Sequence, residues 1–552
     1  MTDKGFLLTN KIGGYFLSGI NSRYRGLFFR DSENMFKIID EIKLGSNVVK
    51  IDLFMPHGYN SLVYELSKER NVELLLDCRG SYDTSEWGRF YEISEEKGKI
   101  IVKFIKKQDD VEQLVLYLVV DKGNIVFSKT EKWVKKKYGF DKKRKSHPFE
   151  WFVFSALKLK GKQIVFSAGK DKDKAIKENN FVFENLAKLQ KKQKEYYKKL
   201  FSGVKLENKK IELAYKSAIK SLDNLSCNIN GIEGIYGGLP WFFQFWSRDE
   251  LVSLNSLVDK KKAKKILLSY LQCIIRDGRL LNFRFPGSDK TNADSIGWLF
   301  KRVDEVNLSK KEKDLVVEKL KFSIKGIKEH LMKDGLVYNR ALETWMDTNW
   351  MEDIREGFRI EIQAMFLFML KLAYKLTKDK QYKKEEEQMR LLVRDKFWNG
   401  MVLADGLDDF TVRPNVFIAA YFYPELLTKD EWSLCFQYAL SKLWLEWGGL
   451  STIDKNNRLF SRIYSGEIPK SYHRGDSWFW INNLAALVML RNDAKRFKKY
   501  IDKIITASIK DINEGIVGAH SELSSAKELR HEGSLCQAWS NAMFIELIGE
   551  LF

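Results

Sequence analysis

The chain of 552 residues has few cysteines and few prolines, five and seven respectively. The cysteines form no CxxC pair and no metal-ligand spacing: Cys78, Cys227, Cys273, Cys435 and Cys536. This scatter argues against a zinc site or a disulfide framework and favours a reducing, cytoplasmic environment. No apolar run reaches 18 residues, so we expect no membrane span. The N-terminus lacks a basic segment before a long apolar run, so we also expect no secretory signal.

The formal net charge is +20, a value that invites a nucleic-acid partner. The lysines are nevertheless spread along the chain, and the densest patch, at 260–265, lies in a helical pattern. We interpret that patch as a solvated helix face and expect no nucleic-acid partner. Hydrophobic residues make up 44% of the chain and charged residues 30%, which is typical of a globular protein. The length predicts two or three domains.

Residues 1–180 contain many short runs of β-branched and aromatic residues separated by turn signals. The runs at 114–120 and 125–128, for example, flank the sequence Asp-Lys-Gly-Asn at 121–124, which is typical of a hairpin turn. We therefore predict an N-terminal antiparallel β-sandwich domain. Residues 181–205 are polar with helical spacing and are interpreted as a helical linker.

Residues 206–552 have a helical period throughout, with apolar residues recurring every three to four positions. Eleven or twelve helices are expected, near 208–230, 248–275, 292–303, 309–332, 358–378, 380–397, 413–425, 429–446, 474–491, 494–510 and 534–550. Loops rich in Gly, Trp, Asp and Arg separate them, and such loops usually carry function. We predict an all-α (α/α)6 barrel, giving an α+β multidomain protein. A superhelical array would have a similar helix count, but the sequence shows no fixed-period repeat.

Two carboxylates lie far apart in Trp-rich surroundings. Asp347 ends the sequence Thr-Trp-Met-Asp at 344–347, and Glu522 lies in Ala-His-Ser-Glu-Leu at 519–523. Tryptophans surround and separate the two acids: Trp241, Trp246, Trp298, Trp478, Trp480 and Trp539. Cleavage of a bond between sugars needs one acid to protonate the leaving oxygen, another to activate water, and flat rings against the pyranose faces.

The neighbours of Asp347 predict a protonated carboxyl. Trp345 and Trp350 would reduce its hydration, so we expect a raised pKa, as a general acid requires. The alternative is an N-cap for the segment that follows. For the general base, Glu522 and Glu532 compete, and the residues themselves leave both open.

Three further motifs have a functional and a structural interpretation. Arg248 and Asp249 open a helix and either fork onto two sugar hydroxyls or are a surface Arg beside a capping Asp. Glu361 begins an apolar helix and either complements its dipole or supports Arg355 or a sugar hydroxyl. His473 lies among four aromatic residues, and we favour a hydroxyl-binding donor over a base.

Taken together, these motifs resemble the amylo-α-1,6-glucosidase region of glycogen debranching enzymes. The matching segments occur in order at 239–241, 246–249, 282–286, 292–295, 344–347, 355–361, 472–475 and 537–540. The N-terminal half also looks like the family's partner domain, at 8–15 and 21–27. The segment Trp-Ser-Arg-Asp at 246–249 is similar to glucoamylases as well.

The resemblance implies a β-sandwich followed by an (α/α)6 barrel that acts on α-linked glucose with inversion and without a metal or cofactor. It implies Asp347 as the general acid and Glu522, rather than Glu532, as the base. The implied sugar-binding residues are Trp241, Trp246, Arg248, Asp249, Asn292, Asp294, Trp345, Arg355, Glu361, Tyr472, His473 and Trp478.

The chain departs from the family pattern at Ser247, Arg474 and the pair Asp476-Ser477, so the sugar and the linkage stay open. Our hypothesis is an inverting α-glucosidase that removes α-1,6 branch glucose from glycogen-like glucans or oligosaccharides. The alternatives are a glucoamylase-like or other α-glycosidase, a non-catalytic sugar-binding protein, and an inverting phosphorylase. A phosphorylase would need cations for phosphate, such as Arg474, Arg530 and His531.

Overall fold

A computed structural model describes residues 5–11, 15–18, 26–31, 34–45, 50–80, 83–121, 123, 125–285 and 287–552. The N-terminal motif segments 12–14 and 21–25 lie outside these residues, as do Lys122 and Asn124 of the expected hairpin turn and Pro286. The chain forms two compact units, 1–204 with 224–232, and 205–223 with 233–552. The domain boundaries drawn at 180 and 205 from the sequence stay predictions.

The first unit is built on antiparallel strands. They are β1 (Gly5–Thr9), β2 (Tyr15–Ser18), β3 (Gly26–Asp31), β4 (Asn34–Leu44), β5 (Ile51–Phe54), β6 (Ser61–Gly80), β7 (Arg89–Glu96), β8 (Lys99–Gln108), β9 (Val111–Asp121), β10 (Val126–Lys137) and β11 (Glu150–Gly169). Neighbouring strands follow the order β1-β2-β3-β4-β6-β11-β9-β8-β7, with β5 also paired to β6 and β10 to β11.

The two 20-residue strands β6 and β11 turn this sheet into a sandwich, because each changes its outer partner along its length. The first half of β6 pairs with β5 and the second half with β4. Similarly, β11 pairs first with β10 and then with β9. Apolar side chains from both layers share one core, among them Leu74 of β6, Phe104 of β8 and Phe166 of β11. The predicted β-sandwich is confirmed.

Three helices complete this unit: α1 (Gly139–Lys143), α2 (Lys172–Glu184) and α3 (Leu186–Leu200). The side chain of Asp171 begins α2 by accepting a hydrogen bond from the backbone N–H of Lys174, at 3.0 Å. Helix α2 packs on β9 and β11, where the amide of Asn179 donates to the carbonyl of Val165 at 3.0 Å. The segment interpreted as a linker is therefore helical as far as Leu200, and its first residues belong to a helix that packs on the sandwich.

The second unit is mainly helical. Its helices are α4 (Lys209–Leu225), α5 (Ser247–Ser253), α6 (Lys260–Tyr270), α7 (Ser295–Asp304), α8 (Lys310–His330), α9 (Ile360–Thr377), α10 (Lys380–Phe397), α11 (Asn415–Phe422), α12 (Lys429–Leu443), α13 (Phe479–Glu514) and α14 (Ala538–Leu551). Short 3₁₀ turns follow at Leu254–Ser256, Leu271–Cys273 and Pro424–Leu426. Helix α13 is two helices joined at Asp493, whose backbone is non-helical.

One expected helix is wrong in extent. The span predicted at 248–275 is divided into α5 and α6, because the side chain of Asp259 accepts from the N–H of Lys262 at 3.0 Å and starts a new helix there. The apolar spacing continues across the break, which is why the sequence pattern did not show it.

Six helices form a closed inner ring, in which α5, α7, α9, α11, the first half of α13 and α14 each contact the next and α14 returns to α5. These helices are almost wholly buried; every residue of α11, for example, is inside. The helices between them in sequence carry the exposed Lys and Glu residues. Within the described part of the second unit this gives an inner and an outer set of six, and the predicted (α/α)6 barrel is confirmed.

Short strand pairs and loops connect the starts of the inner helices. The pairs are Gly238–Leu239 with Cys536–Gln537, Phe245–Trp246 with Phe283–Phe285, Leu280–Leu281 with Thr291–Asn292, Met332–Lys333 with Leu336–Val337, Trp444–Leu445 with Gly449–Leu450, and Ser477–Trp478 with Leu523–Ser524. Further two- to four-residue strands are Ser226–Ile229, Ile232–Ile235 and Ile516–Val517. Three of these pairs join segments that precede different inner helices: 238–239 with 536–537, 245–246 with 283–285, and 477–478 with 523–524. Backbone contacts of Ala293 with Glu343 and of Arg359 with Gly406 likewise join the segments before α7, α9 and α11. The N-termini of the inner helices therefore lie at one end of the barrel. Within the described residues no helix is long and apolar enough to cross a bilayer.

Candidate active site

Asp347 lies in the loop before α9 and keeps 32% of its side chain exposed, whereas most neighbouring side chains are buried. Its Oδ2 is 3.4 Å from Nη1 of Arg248, and its Oδ1 is 3.5 Å from Nε2 of His473. Burial would raise the pKa of Asp347, but the bond to His473 and the charge of Arg248 outweigh it, and the pKa is lowered. The expected rise in this pKa is therefore wrong, because His473 and Arg248 outweigh the effect of burial among the tryptophans.

His473 itself is held neutral. Burial lowers the pKa of His473 to about 4, although Asp347 acts in the opposite direction. Its ring stacks on Trp478, with centroids 5.1 Å apart and planes 12° apart. A neutral imidazole has one N–H, which can be donated to a carboxylate or to a sugar hydroxyl. The interpretation of His473 as a hydroxyl-binding donor stays a prediction.

Arg248, in the first turn of α5, connects two carboxylates. Its Nε lies 3.0 and 2.9 Å from the two oxygens of Asp294, and its Nη1 reaches Asp347. Asp249, the next residue, accepts a hydrogen bond from Nε2 of Gln537 at 2.7 Å instead. Burial raises the pKa of Asp249 to about 8, and the nearby charge of Glu522 adds to the rise. The two side chains therefore contact two different sets of residues, and their joint binding of sugar hydroxyls stays a prediction.

Glu522 is buried, with 2% of its surface exposed, and lies in the loop between α13 and α14. Its Oε1 accepts the hydroxyl of Tyr472 at 2.5 Å, and its Oε2 accepts the N–H of Ser534 at 2.7 Å. Burial together with the charge of Glu522 raises the pKa of Tyr472 well above its ordinary value.

Two pairs of consecutive residues bring the two acids to one site. In the pair Tyr472-His473, the tyrosine contacts Glu522 and the histidine contacts Asp347. In the pair Arg248-Asp249, the arginine contacts Asp347, while the aspartate is close enough to Glu522 for their charges to interact. Acids that are 175 positions apart in sequence therefore share the same neighbours at the N-terminal end of the inner helices.

Glu532, the second candidate for the base, lies in the same loop. Its backbone pairs with Leu523, with N–H to carbonyl distances of 3.0 and 3.4 Å, and its side chain is buried. Burial raises the pKa of Asp476 well above its ordinary value, and the charges of Glu532 and Glu522 add to that rise. The two glutamates are thus near each other, but the contact with Tyr472 is made by Glu522.

The tryptophans divide into three groups by exposure and contacts. Trp241 and Trp246 are half-buried, and Nε1 of Trp246 donates to Gln244 at 3.2 Å. Trp345 and Trp478 are each 2% exposed and pack edge to face, with centroids 5.7 Å apart. Core packing accounts for the remaining three, which are almost fully buried: Trp298, Trp480 and Trp539. Of the tryptophans predicted to bind sugar, Trp241 and Trp246 are thus the more exposed.

Several predicted sugar-binding residues contact other residues of the protein, and their binding to sugar stays a prediction. The side-chain oxygen of Asn292 accepts the N–H of Ser295 at 3.0 Å, at the start of α7. Arg355 is buried and bonds to Glu361 at 2.8 Å and to Asp405 at 2.9 Å. Of the interpretations open for Glu361, support of Arg355 is the one that these contacts favour. No sequence motif marks Asp405, which lies in the loop between α10 and α11 close to Asp408 and Asp409.

The residues suggested as phosphate ligands are also engaged. Nε of Arg474 is 2.7 Å from Oδ2 of Asp353, and its Nη2 donates to the carbonyl of Thr348 at 2.5 Å. Arg530 pairs with Glu528 at 2.6 Å, and His531 bonds to Asp511. Arg474 therefore fixes the loop that carries Asp347. The described residues contain no cluster of His, Cys, Asp and Glu that could hold a metal ion.

A cavity of about 830 Å³ lies at the other end of the barrel, where Lys301, Lys375 and Tyr421 stand in the last turns of inner helices. None of the residues predicted for the site lines it. We do not assign the chemistry to this cavity, because the two acids and their shared neighbours lie at the N-terminal end.

Comparison with known proteins identifies the helical unit. A family model described as amylo-α-1,6-glucosidase matches residues 218–546. The chain belongs to this family. It is a glycoside hydrolase, and the family match covers every residue of the site described above.

Solved structures with a similar fold are distant in sequence. A bacterial glucoamylase complexed with acarbose is 12% identical with a TM-score of 0.66, covering 100% of this chain and 94% of that one. A GH63 mannosylglycerate hydrolase from Thermus thermophilus in complex with glucose is 12% identical with a TM-score of 0.45, covering 61% of this chain and 99% of that one. No curated protein matches the chain in sequence. This member of the amylo-α-1,6-glucosidase family thus has the fold of the glucoamylase over its full described length.

Proposed function

We propose that the protein is an inverting α-glucosidase that removes α-1,6-linked branch glucose from glycogen-like glucans. The observation that supports this most directly is the convergence of Asp347 and Glu522 on the residue pairs Tyr472-His473 and Arg248-Asp249. Two carboxyls on the two sides of one sugar are the minimum for inversion, and inversion requires a separation of roughly 6.5–9.5 Å that leaves room for water. We also propose a cytoplasmic location, from the scattered free cysteines.

In the proposed reaction Asp347 gives a proton to the glycosidic oxygen, while Glu522 takes a proton from the attacking water. The hydroxyl of Tyr472 donates to Oε1 of Glu522 and the N–H of Ser534 donates to Oε2, and these two bonds hold the carboxylate in one orientation. The bond from the anomeric carbon to the leaving oxygen breaks as the bond to water forms on the opposite face. Glucose with the β configuration leaves, together with a shortened glucan.

The lowered pKa of Asp347 means that this group is ionised before substrate binds. Because about a third of the side chain is exposed, a glucan in the site covers it and removes its water. Desolvation favours the neutral acid, which is the form that the reaction needs. We propose that substrate binding converts Asp347 to its neutral form in this way. Arg248 then interacts less with Asp347 and more with Asp294 and the sugar hydroxyls.

Proton NMR of digests tests the proposal. Matched α-1,6- and α-1,4-linked glucosyl oligosaccharides are incubated with the protein, and the anomeric signals are followed from the first minutes. We expect faster release from the α-1,6 linkage, with β-glucose appearing first and without a need for phosphate. A preference for α-1,4 linkages would favour the glucoamylase-like alternative, initial α-glucose would contradict inversion, and phosphate-dependent glucose 1-phosphate would indicate a phosphorylase. A Glu522→Gln variant is the control for background hydrolysis.

A further inference from the structure

Asp511, in the second half of α13, is a fully buried carboxylate that touches neither acid of the site. We propose that Asp511 is a positioning residue, which holds the loop of residues 519–534 so that Glu522 meets the attacking water. This inference rests on the proposed function, because it assumes that Glu522 is the base.

Four donors converge on Asp511, and all of them come from that loop. Its Oδ2 accepts Nδ1 of His520 at 2.6 Å and the N–H of Ser521 at 2.8 Å. Its Oδ1 accepts the hydroxyl of Ser521 at 2.6 Å and Nδ1 of His531. The donors therefore include both residues that immediately precede Glu522 in sequence.

The donors lie on both arms of a hairpin. The N–H of Glu522 donates to the carbonyl of Ser534 at 2.8 Å, and the N–H of Ser534 returns to the carboxylate of Glu522 at 2.7 Å. Leu523 and Glu532 pair through their backbones one step further along. Asp511 bonds to 520 and 521 on one arm and to 531 on the other, so a single carboxylate fixes the spacing of the arms that carry the base.

The loop has little freedom to compensate for a shift. Gly533 has φ of +68°, and a Cβ there would lie 2.2 Å from Oε2 of Glu522. Gly515 packs equally closely on His531, because a Cβ at position 515 would lie 2.2 Å from the histidine ring. Beyond the loop, Nε2 of His520 is 3.3 Å from the amide of Asn483, which itself accepts the hydroxyl of Ser508 at 3.0 Å. Both halves of α13 thus support the same histidine.

The charge of Asp511 is essential to this arrangement. Burial alone would raise the pKa of Asp511, but hydrogen bonds and charge from His520 and His531 outweigh it, and the pKa is strongly lowered. Burial would lower the pKa of His531, but the bond to Asp511 raises it instead. An asparagine at 511 would keep the shape, lose the charge, and replace one accepting oxygen with a donating amide that faces donors.

The first experiment is a double-mutant cycle of Asp511→Asn and Glu522→Gln, measured as kcat and KM on an α-1,6-linked glucosyl disaccharide. Asp511→Asn alone is expected to lower kcat about 10-fold to 100-fold with KM changed less than twofold, since small misplacement of a reacting group is that costly. If Asp511 acts through Glu522, adding Asp511→Asn to Glu522→Gln lowers kcat no further. Asp502→Asn, on the exposed side of the same helix and paired with Lys498, is the matched control and should leave kcat unchanged.

Milder variants keep the proposal testable if Asp511→Asn does not fold. Ser521→Ala removes one donor to Asp511 without changing charge, and His531→Asn removes another. Each should lower kcat several-fold in the wild-type background and have no effect in the Glu522→Gln background. His330→Asn, an exposed histidine of α8, is the control for His531→Asn.

The positioning role would be overturned if the loss of kcat in Asp511→Asn and the loss in Glu522→Gln multiplied in the double variant. Wild-type kcat in both Ser521→Ala and His531→Asn would overturn it as well. Near-normal turnover by Glu522→Gln alone would instead refute the proposed base. The two failures are therefore distinguishable in one set of assays.

Discussion

Replacing Asp347 with asparagine removes the proposed proton donor and little else. The side chain is a third exposed, and its contact with Arg248 at 3.4 Å is long. Arg248 retains both contacts with Asp294 at 2.9 and 3.0 Å, so its charge stays paired. An ion pair of this kind contributes about 1 kcal/mol or less to folding, so the free energy of unfolding should change by no more than that.

The rate should respond far more than the stability. General acid catalysis contributes about 10²–10⁴-fold, which is about 3–5 kcal/mol of transition-state stabilisation. The loss should depend on the leaving group. A disaccharide leaves as an alcohol and needs the proton, whereas α-glucosyl fluoride leaves as a weakly basic anion and does not. We therefore expect Asp347→Asn to lose about 10²–10⁴-fold in kcat/KM on the disaccharide and at most about tenfold on the fluoride.

The assay compares kcat/KM for both substrates in wild type, Asp347→Asn and Asp334→Asn. The last is a control because Asp334 lies in an exposed turn of the same barrel. Equal losses on the disaccharide and the fluoride would contradict the role of Asp347 as the acid, as would near-normal turnover of the disaccharide. Urea denaturation of the variants separates a loss of fold from a loss of chemistry.

Two further predictions concern groups around the acids. His473→Phe keeps a ring against Trp478 but removes a group that stabilises ionised Asp347. The pKa of Asp347 should therefore rise, and the alkaline side of the kcat/KM profile should move to higher pH. An unchanged profile, or one moved to lower pH, would show that the histidine does not control this carboxyl. Arg355→Met leaves buried Glu361 without its ion-pair partner and should lower the free energy of unfolding, measured by urea denaturation, by about 3–5 kcal/mol. Replacement of an exposed arginine, Arg340→Met, should lower it by less than about 0.5 kcal/mol. A loss below about 1 kcal/mol for Arg355→Met would refute its structural role.

The fold could be predicted from the sequence because the patterns that determine it are local and repeated. Apolar spacing of three to four residues marks each helix, and short β-branched runs mark the sandwich strands. The division between α5 and α6 was missed because Asp259, a capping residue, interrupts no apolar position. The partner changes along β6 and β11 have no counterpart in the sequence pattern either, since they depend on which strands meet in space.

Only part of the candidate site could be inferred from the sequence. Motifs located Asp347, Glu522, Arg248 and Tyr472, but no motif reports which polar group pairs with which. Asp511 had a detectable signal, since it continues the buried stripe formed by Ile501, Ile504 and Ser508, and a charge on such a stripe needs a partner. The direction of the pKa shift of Asp347 could not be inferred, because it depends on two donors that are distant in sequence.

The common orientation of the six inner helices gives the barrel an electrical polarity. Each helix N-terminus carries about half a positive elementary charge, so six together amount to about three at the end that holds the two acids. Carboxylates such as Asp294, which lies at the start of α7, are favoured there, and lysines such as Lys301 and Lys375 stand in the last turns at the opposite end. The potential that a substrate meets is therefore set by helix ends and their counter-charges, and the formal charge of +20 on the whole chain is a poor guide to it.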